Sequence, residues 1–410
     1  MGMDMKTRRV VTRETRERYR KARKKGKVRI LDEFVDLTGY NRCYAARVLR
    51  NVRETKGPVR RVSVGGRRGR KRKYPRDVFY ALRRVWAILR FPCGKRLVAN
   101  MGEIVSVLIR KKELRLSKQM RRLLVSVSAS TADRLLTAER RRHELKGRSG
   151  TKPGSLLKHK IPICTFADWD DARVGFLQVD LVQHEGGNPR GDFCQTLSTT
   201  DVATGWTEIR AVRNKAQLWV FPALEHIRRE IPFPIKGINS DSGSEFINAH
   251  LFNYCIKEKI TFTRCRENKK NDNCYVEQKN YTAVRQTVGY YRYDTEEELE
   301  LLNRLYSSYR LYANFFQPQM KLIEKIRDGS KIKKRYDHPR TPYARVLASR
   351  EVSQRVKEKL KEQYAVLNPA GLQRDMLRLE EELFRLARSK TRQQVTQDAM
   401  KEGELRRAVS

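Results

Sequence analysis

The sequence predicts a two-part protein: helical units in the first 150 residues, then an α/β core built on a mixed five-stranded sheet with helices on both faces. Three observations predict it. Amphipathic helical patterns fill the first part. From residue 174 three consecutive segments rich in β-branched and aromatic residues read as strands: "VGFLQVDLVQH" (174–184), "DFCQTLSTTDVATG" (192–205) and "WTEIRAVRN" (206–214). Helix and strand patterns alternate after them, the order that builds a mixed sheet covered on two sides.

Length and charge bound the rest. A chain of 410 residues is long enough for about three domains. Lys and Arg number 90 against 47 Asp and Glu, a net charge of +43. Residues 1–150 hold 45 of the basic residues and 13 of the acidic ones, an excess of +32. Such self-repulsion calls for a polyanionic partner. Nucleic acid fits better than membrane, because no apolar run approaches the roughly 20 residues that span a bilayer. The basic, polar start lacks the apolar core of a signal peptide. Seven scattered cysteines, with no C-x-x-C pair and no complementary His pair, indicate reduced thiols in a cytoplasmic protein rather than a zinc site.

Residues 14–25 are helical in composition and basic. "RILDEFVDLTGYNRCYAARVLRN" (29–51) gives two amphipathic helices broken at Thr38-Gly39-Tyr40, the outline of a helix-turn-helix in residues 1–60. Arg42, Tyr44, Arg47 and Arg50 on its second helix are the candidates for DNA contact; an ordinary helical hairpin is the alternative. A linker, 61–75, carries six basic residues among seven: Arg67, Arg68, Arg70, Lys71, Arg72 and Lys73. Such a run follows phosphates and carries little sequence information. Residues 76–150 read as a second helical DNA-binding unit. Its last helix is expected to start at a capping box, Ser130 with Asp133, and offers Arg134. "KGRSGTKPGS" (146–155) marks a domain boundary.

In the core, 160–320, a helix (216–231), a fourth strand "IKGINSD", a helix "INAHLFNYCIKEK", a fifth strand "ITFTRCRE" and a long helix from "CYVEQKN" complete the layout. Three carboxylates stand out on it. Asp180 lies inside an apolar strand, a costly place for an unpaired charge. Asp241 ends the fourth strand. Glu277 lies in the first turn of the long helix, with thirty-five residues between it and Asp241. If the first and fourth strands are neighbours, the three meet, and like charges meeting require cations. Two Mg²⁺ or Mn²⁺ ions would suit carboxylates and phosphate oxygens, activating the attacking oxygen and stabilising the leaving one.

"VDLVQH", "TTDVATGWTE", "INSDSGSEFIN", "KNDNCYVEQKN" and "LYANFFQPQMKL" (311–322) resemble the catalytic core of insertion-sequence transposases of the retroviral-integrase type. The resemblance implies a ribonuclease-H-like fold and an Asp–Asp–Glu triad on Asp180, Asp241 and Glu277. It also implies cleavage of DNA at element ends and transfer of the 3′-hydroxyl to target DNA by at least a dimer, in the bacterial nucleoid. Ser242 stands where such motifs commonly have Asn. Val284 stands where a DNA-holding basic residue is frequent, leaving Arg285 as the nearest. The absence of a His/Cys zinc domain points to the bacterial mobile-element branch. His184, on the strand of Asp180, is either an accessory beside the metals or a core histidine. Lys269 and Lys270, before Glu277, are candidates for phosphate contact. The alternatives are a nuclease of the same fold that only cuts and a DNA-binding regulator with an inactive core.

Residues 321–410 read as a basic, Pro-broken extension ending in an amphipathic helix. Leu372, Met376, Leu379, Leu383 and Leu386 form its apolar stripe, too short for a coiled coil and better packed on its own chain.

Overall fold

The computed structural model describes residues 4–50, 73–141, 173–240, 249–264, 274–328 and 331–409. They fall into two compact units, Met1–Lys71 and Arg72–Ser410.

Among its described residues the first unit has three helices, α1 (Met5–Lys21), α2 (Lys24–Thr38) and α3 (Arg42–Arg50). Gly39 ends α2 in the left-handed conformation, φ 68°, which a glycine adopts without strain. Two residues on, the Asn41 side chain accepts from Cys43 N at 2.9 Å and starts α3. Tyr19, Leu31, Phe34, Ala45 and Leu49 form the core.

The second unit is built on a sheet of five strands: β1 (Phe176–Gln183), β2 (Gln195–Asp201), β3 (Thr207–Val212), β4 (Gly237–Ser240) and β5 (Thr261–Arg264). Their order is β3-β2-β1-β4-β5. β1, β2 and β3 pair antiparallel as a meander, while β4 and β5 add in parallel on the other side of β1. The predicted mixed five-stranded sheet is therefore present, with β1 in its centre. Parallel pairing needs crossovers. Helices α9 (Gln217–Glu230) and α10 (Ala249–Lys257) supply them.

Alternation along β1 separates two cores. Leu177, Val179 and Leu181 point to one side and pack with Val220, Leu224 and Ile227 of α9. Val182, with Ile209 and Ala211 of β3, packs on the other side against Leu301, Leu302 and Leu305 of α13 (Glu296–Phe316). Helices thus cover both faces. Asp180 shares the α13 side. β2 is buried at all seven positions despite its polar sequence. Its Asp201 repays burial by accepting from Gly175 N, Thr204 N and Thr204 Oγ1 at 2.6–2.8 Å, which closes the turn into β3.

The helices of 76–141 are α4 (Arg76–Ile88), α5 (Gly94–Ala99), α6 (Met101–Arg110), α7 (Lys118–Val125) and α8 (Ala129–Arg140). They belong to the same compact unit as the sheet. Tyr312 Oη donates to Ile88 O at 2.7 Å and Gln317 Nε2 to Leu89 O at 2.8 Å. The expected capping box is corrected: Ser128 caps α8, accepting from Thr131 N at 3.3 Å. Asp133 instead accepts from Gly94 N at 2.7 Å and pairs with Arg140, tying α5 to α8.

The long helix expected from 274 is also corrected. It runs as α11 (Cys274–Lys279), a wide π turn (Asn280–Arg285) and the short α12 (Gln286–Val288), and ends at Gly289 with φ 68°. Beyond α13 the chain forms a two-stranded ribbon, β6 (Leu322–Asp328) and β7 (Lys331–Tyr336), then α14 (Pro342–Ala348), α15 (Gln354–Val366) and α16 (Pro369–Val409). Met376, Leu379 and Leu383 of α16 pack on α13. Among the described residues no helix is long and apolar enough to cross a membrane.

Candidate active site

The site begins where β4 ends. Ser240, the last residue of β4, pairs with Val179, the residue before Asp180. β1 continues for four residues past that pair, so among the described residues its β4-facing edge has no partner strand from Asp180 on. The Asp180 side chain covers part of this edge, its Oδ1 accepting from Leu181 N at 2.8 Å. Asp180 is half-buried.

Helix α11 is fastened across the same face. Gln178, two residues before Asp180 and therefore on the same side of β1, is fully buried. Its Oε1 accepts from Tyr275 N at 3.0 Å and Val276 N at 3.2 Å. Those amides belong to the first turn, whose donors have no partner inside the helix. One side chain thus satisfies two of them and sets the helix against the strand.

One turn on, Asn280 Nδ2 donates to Asp180 Oδ2 at 2.5 Å. Glu277 precedes Asn280 by three residues, a spacing that puts neighbours on one helical face; Glu277 is exposed. Sequence reasoning singled out Asp180 and Glu277 but missed Gln178 and Asn280. The available signals were the two-residue strand spacing and the three-residue helix spacing. Two further polar atoms here are buried without a hydrogen-bond partner among the described residues: Asn280 Oδ1 and Ser198 Oγ, on the residue paired with Asp180 across β1 and β2. Asp241 lies outside the described residues. Within them, no cluster of three or more His, Cys, Asp or Glu is placed to hold a metal.

His184 is fully buried. Its Nε2 is 2.7 Å from Thr196 Oγ1, itself 2.7 Å from Tyr306 Oη, and its ring meets Tyr293 edge-on. Burial, reinforced by the Arg285 guanidinium, pushes its pKa down to about 3. It is a neutral core histidine. Arg285 turns inward too, donating to Gln183 O at 2.7 Å and lying 4.8 Å over the Tyr290 ring. Lys279 lies on the far side of α11, where burial and then Arg96 and Arg345 push its ammonium down to about 7.

In the first unit, Arg42, Tyr44, Arg47 and Arg50 are all exposed on α3, opposite the core residues Ala45 and Leu49. Arg47 lies 5.3 Å over the Tyr44 ring, while Arg42 is paired with Asp32. Arg134 is exposed on α8, and Lys73 sits 5.5 Å over Tyr74. Arg67, Arg68, Arg70, Lys71, Arg72, Lys269 and Lys270 lie outside the described residues. Of the cysteines described, Cys43 and Cys93 are exposed and Cys194 and Cys255 buried, all as free thiols. Burial pushes the latter two up to about 12.

No family model matches the chain. It is similar to y4rM, an uncharacterized protein of Sinorhizobium fredii. The two are 40% identical over 331 residues, covering 80% of this chain and 92% of that protein. The chain belongs to the family of y4rM.

Proposed function

We propose that this protein is a DNA transposase with a ribonuclease-H-like catalytic core, a helix-turn-helix in its first unit and an Asp180–Asp241–Glu277 triad. The observation that carries the reading is the fastening of α11 to the central strand, with Asn280 bonded to Asp180 and Glu277 one turn away. A strand order of β3-β2-β1-β4-β5 supports it, because β4 ends beside the residue before Asp180. The excess of +32 in the first 150 residues supports DNA as the partner.

The donors present fit a hard divalent cation: two carboxylates on adjoining elements, and the buried oxygens of Ser198 and Asn280 close by. Asp180 and Glu277, with Asp241, would hold Mg²⁺ or Mn²⁺, two ions per site, whose chemistry is to acidify the attacking hydroxyl and neutralise charge on the phosphate. The chain's own residues set the geometry. Gln178 fixes the start of α11, and Asn280 holds one Asp180 oxygen so that the carboxylate keeps a single orientation. Exposed Arg47 and Arg50 on α3 would read DNA at the element ends. Two ends require two sites, hence at least a dimer assembled on DNA within the bacterial nucleoid.

The test is joining. Given a pre-cut end with a free 3′-hydroxyl and a supercoiled target, the protein with Mg²⁺ should yield covalently joined products without a nucleotide cofactor. EDTA should abolish them, as should Asp180→Asn, Asp241→Asn or Glu277→Gln, with DNA binding retained. Cutting without joined products would leave the nuclease reading; full activity of Glu277→Gln would remove the triad.

A further inference from the structure

A second feature lies near the start of β1, beside Val174. A cavity of about 650 Å³ opens between the β2–β3 turn, the start of β6 and the end of α14. Four cations line it, Lys321, Arg340, Arg345 and Arg350, against two carboxylates, Asp337 and Glu351. Both carboxylates are already matched. Asp337 is 2.6 Å from Arg345. Glu351 pairs with Lys236, which is not part of the lining. A positive surplus therefore remains on the walls.

The cations differ in kind. Arg340 and Arg350 are exposed, and among the described residues no ion pair holds either side chain. Arg345 goes deeper. Its Nη2 donates to Gln319 O at 3.1 Å, and its Nε is buried without a hydrogen-bond partner among the described residues. A buried N–H of that sort is costly unless an acceptor arrives. Lys321 ties the cavity to the catalytic helix, its Nζ 5.9 Å from the centre of the Tyr275 ring, two residues before Glu277. Positive charge on the walls is thus spread over Lys321, Arg340, Arg345 and Arg350 rather than placed on one residue. A single small anion would leave most of it unmatched, whereas a chain of regularly spaced phosphates would not.

We propose that this groove holds the phosphodiester backbone of the DNA whose reacting phosphate lies at Asp180 and Glu277. The proposal rests on the function proposed above. It is tested with the full chain and a short labelled duplex DNA, without divalent metal, by fluorescence anisotropy over a range of salt concentrations. Replacing Arg340 and Arg350 together by Ala should make the slope of log affinity against log salt shallower by roughly 0.9 per lost phosphate contact, about 2 in all. The double Lys variant should keep the wild-type slope, because it keeps the charge. Arg355→Ala with Lys359→Ala, which removes equal charge from α15, should change the slope less.

A wild-type protein that binds no duplex DNA overturns both this inference and the proposed function. Wild-type binding with an unchanged slope in the Arg340/Arg350 double Ala variant overturns the groove alone. An equal change in the α15 variant also overturns it, reducing the effect to net charge. Loss of single-stranded RNA binding with duplex binding intact assigns the groove to another nucleic acid and overturns it as well.

Discussion

Asn280 and Asp180, one hundred residues apart in sequence, are joined by a hydrogen bond of 2.5 Å from an amide to a carboxylate oxygen. A donor fixed on one oxygen leaves the other directions of the carboxylate defined for a cation. Asn280→Ala should leave folding and DNA binding intact but lower strand cleavage about tenfold or more, given the effect typical of groups that orient metal ligands. The half-maximal Mg²⁺ concentration should rise, and excess Mg²⁺ should recover part of the rate. A rate and Mg²⁺ response equal to wild type would show that the amide does not position Asp180.

Acid should weaken the fold through His184. Its native pKa, about 3, lies below the ordinary 6.5 because the ring is buried. An unfolded chain takes up the proton as pH falls through 6.5, whereas the native chain resists until about 3. Stability fully present above 6.5 is therefore lost progressively down to 3, at up to about 1.4 kcal/mol per pH unit. Denaturant midpoints of wild type and His184→Gln, compared between pH 6.5 and 5 where few carboxylates titrate, should converge as pH falls.

The opposite sign applies to Glu113. Hydrogen bonds from Arg374 and Asn368 hold its carboxyl down at about 2, from 4.5. Its contribution is present above pH 4.5 and is lost as pH falls toward 2. Because the pair joins the loop after α6 to the first turns of α16, Glu113→Gln should loosen that attachment at neutral pH. Hydrogen exchange in 369–376 should be faster in the variant than in wild type, and the difference should narrow with acid.

On α3, Arg47 rests over Tyr44 with no carboxylate partner among the described residues, whereas Arg42 is engaged by Asp32. Arg47→Ala should weaken binding to the element's ends by about 1–3 kcal/mol if it reads a base edge. Arg42→Ala should cost less, and changes in Arg67–Lys73 should weaken all sequences alike. Competition binding with end and random duplexes separates these outcomes.

Much of this layout was legible because local pattern and tertiary role agreed. The strands of the sheet announced themselves by β-branched and aromatic residues, and Asp180 by being charged inside one of them. Asn280 was not legible, because its role depends on α11 being set down beside β1 by Gln178, a contact across 97–98 residues. The π turn after it left no periodicity to read. The β6–β7 ribbon was missed because Lys-rich strands have weak β propensity, although Asp328-Gly329 is a hairpin signal. Asp133 looked like a cap by spacing alone, while its partner proved to be an amide on α5.

Arg90, just past α4, meets Glu380 of α16 at 2.6 Å, both largely buried and 290 residues apart. During synthesis the guanidinium leaves the ribosome long before its counter-ion. At about 5–20 residues per second the interval is roughly 15–60 s, and through it the guanidinium has no Glu380 to meet. The sheet and α13 are made within that interval, so α16 arrives last and closes a unit already assembled. A nascent or truncated chain ending before residue 380 keeps that cation unneutralised, a state that costs a few kcal/mol in other proteins and leaves the α13 surface that α16 covers open to chaperones. Pairing of this guanidinium therefore waits for a residue made 290 positions later.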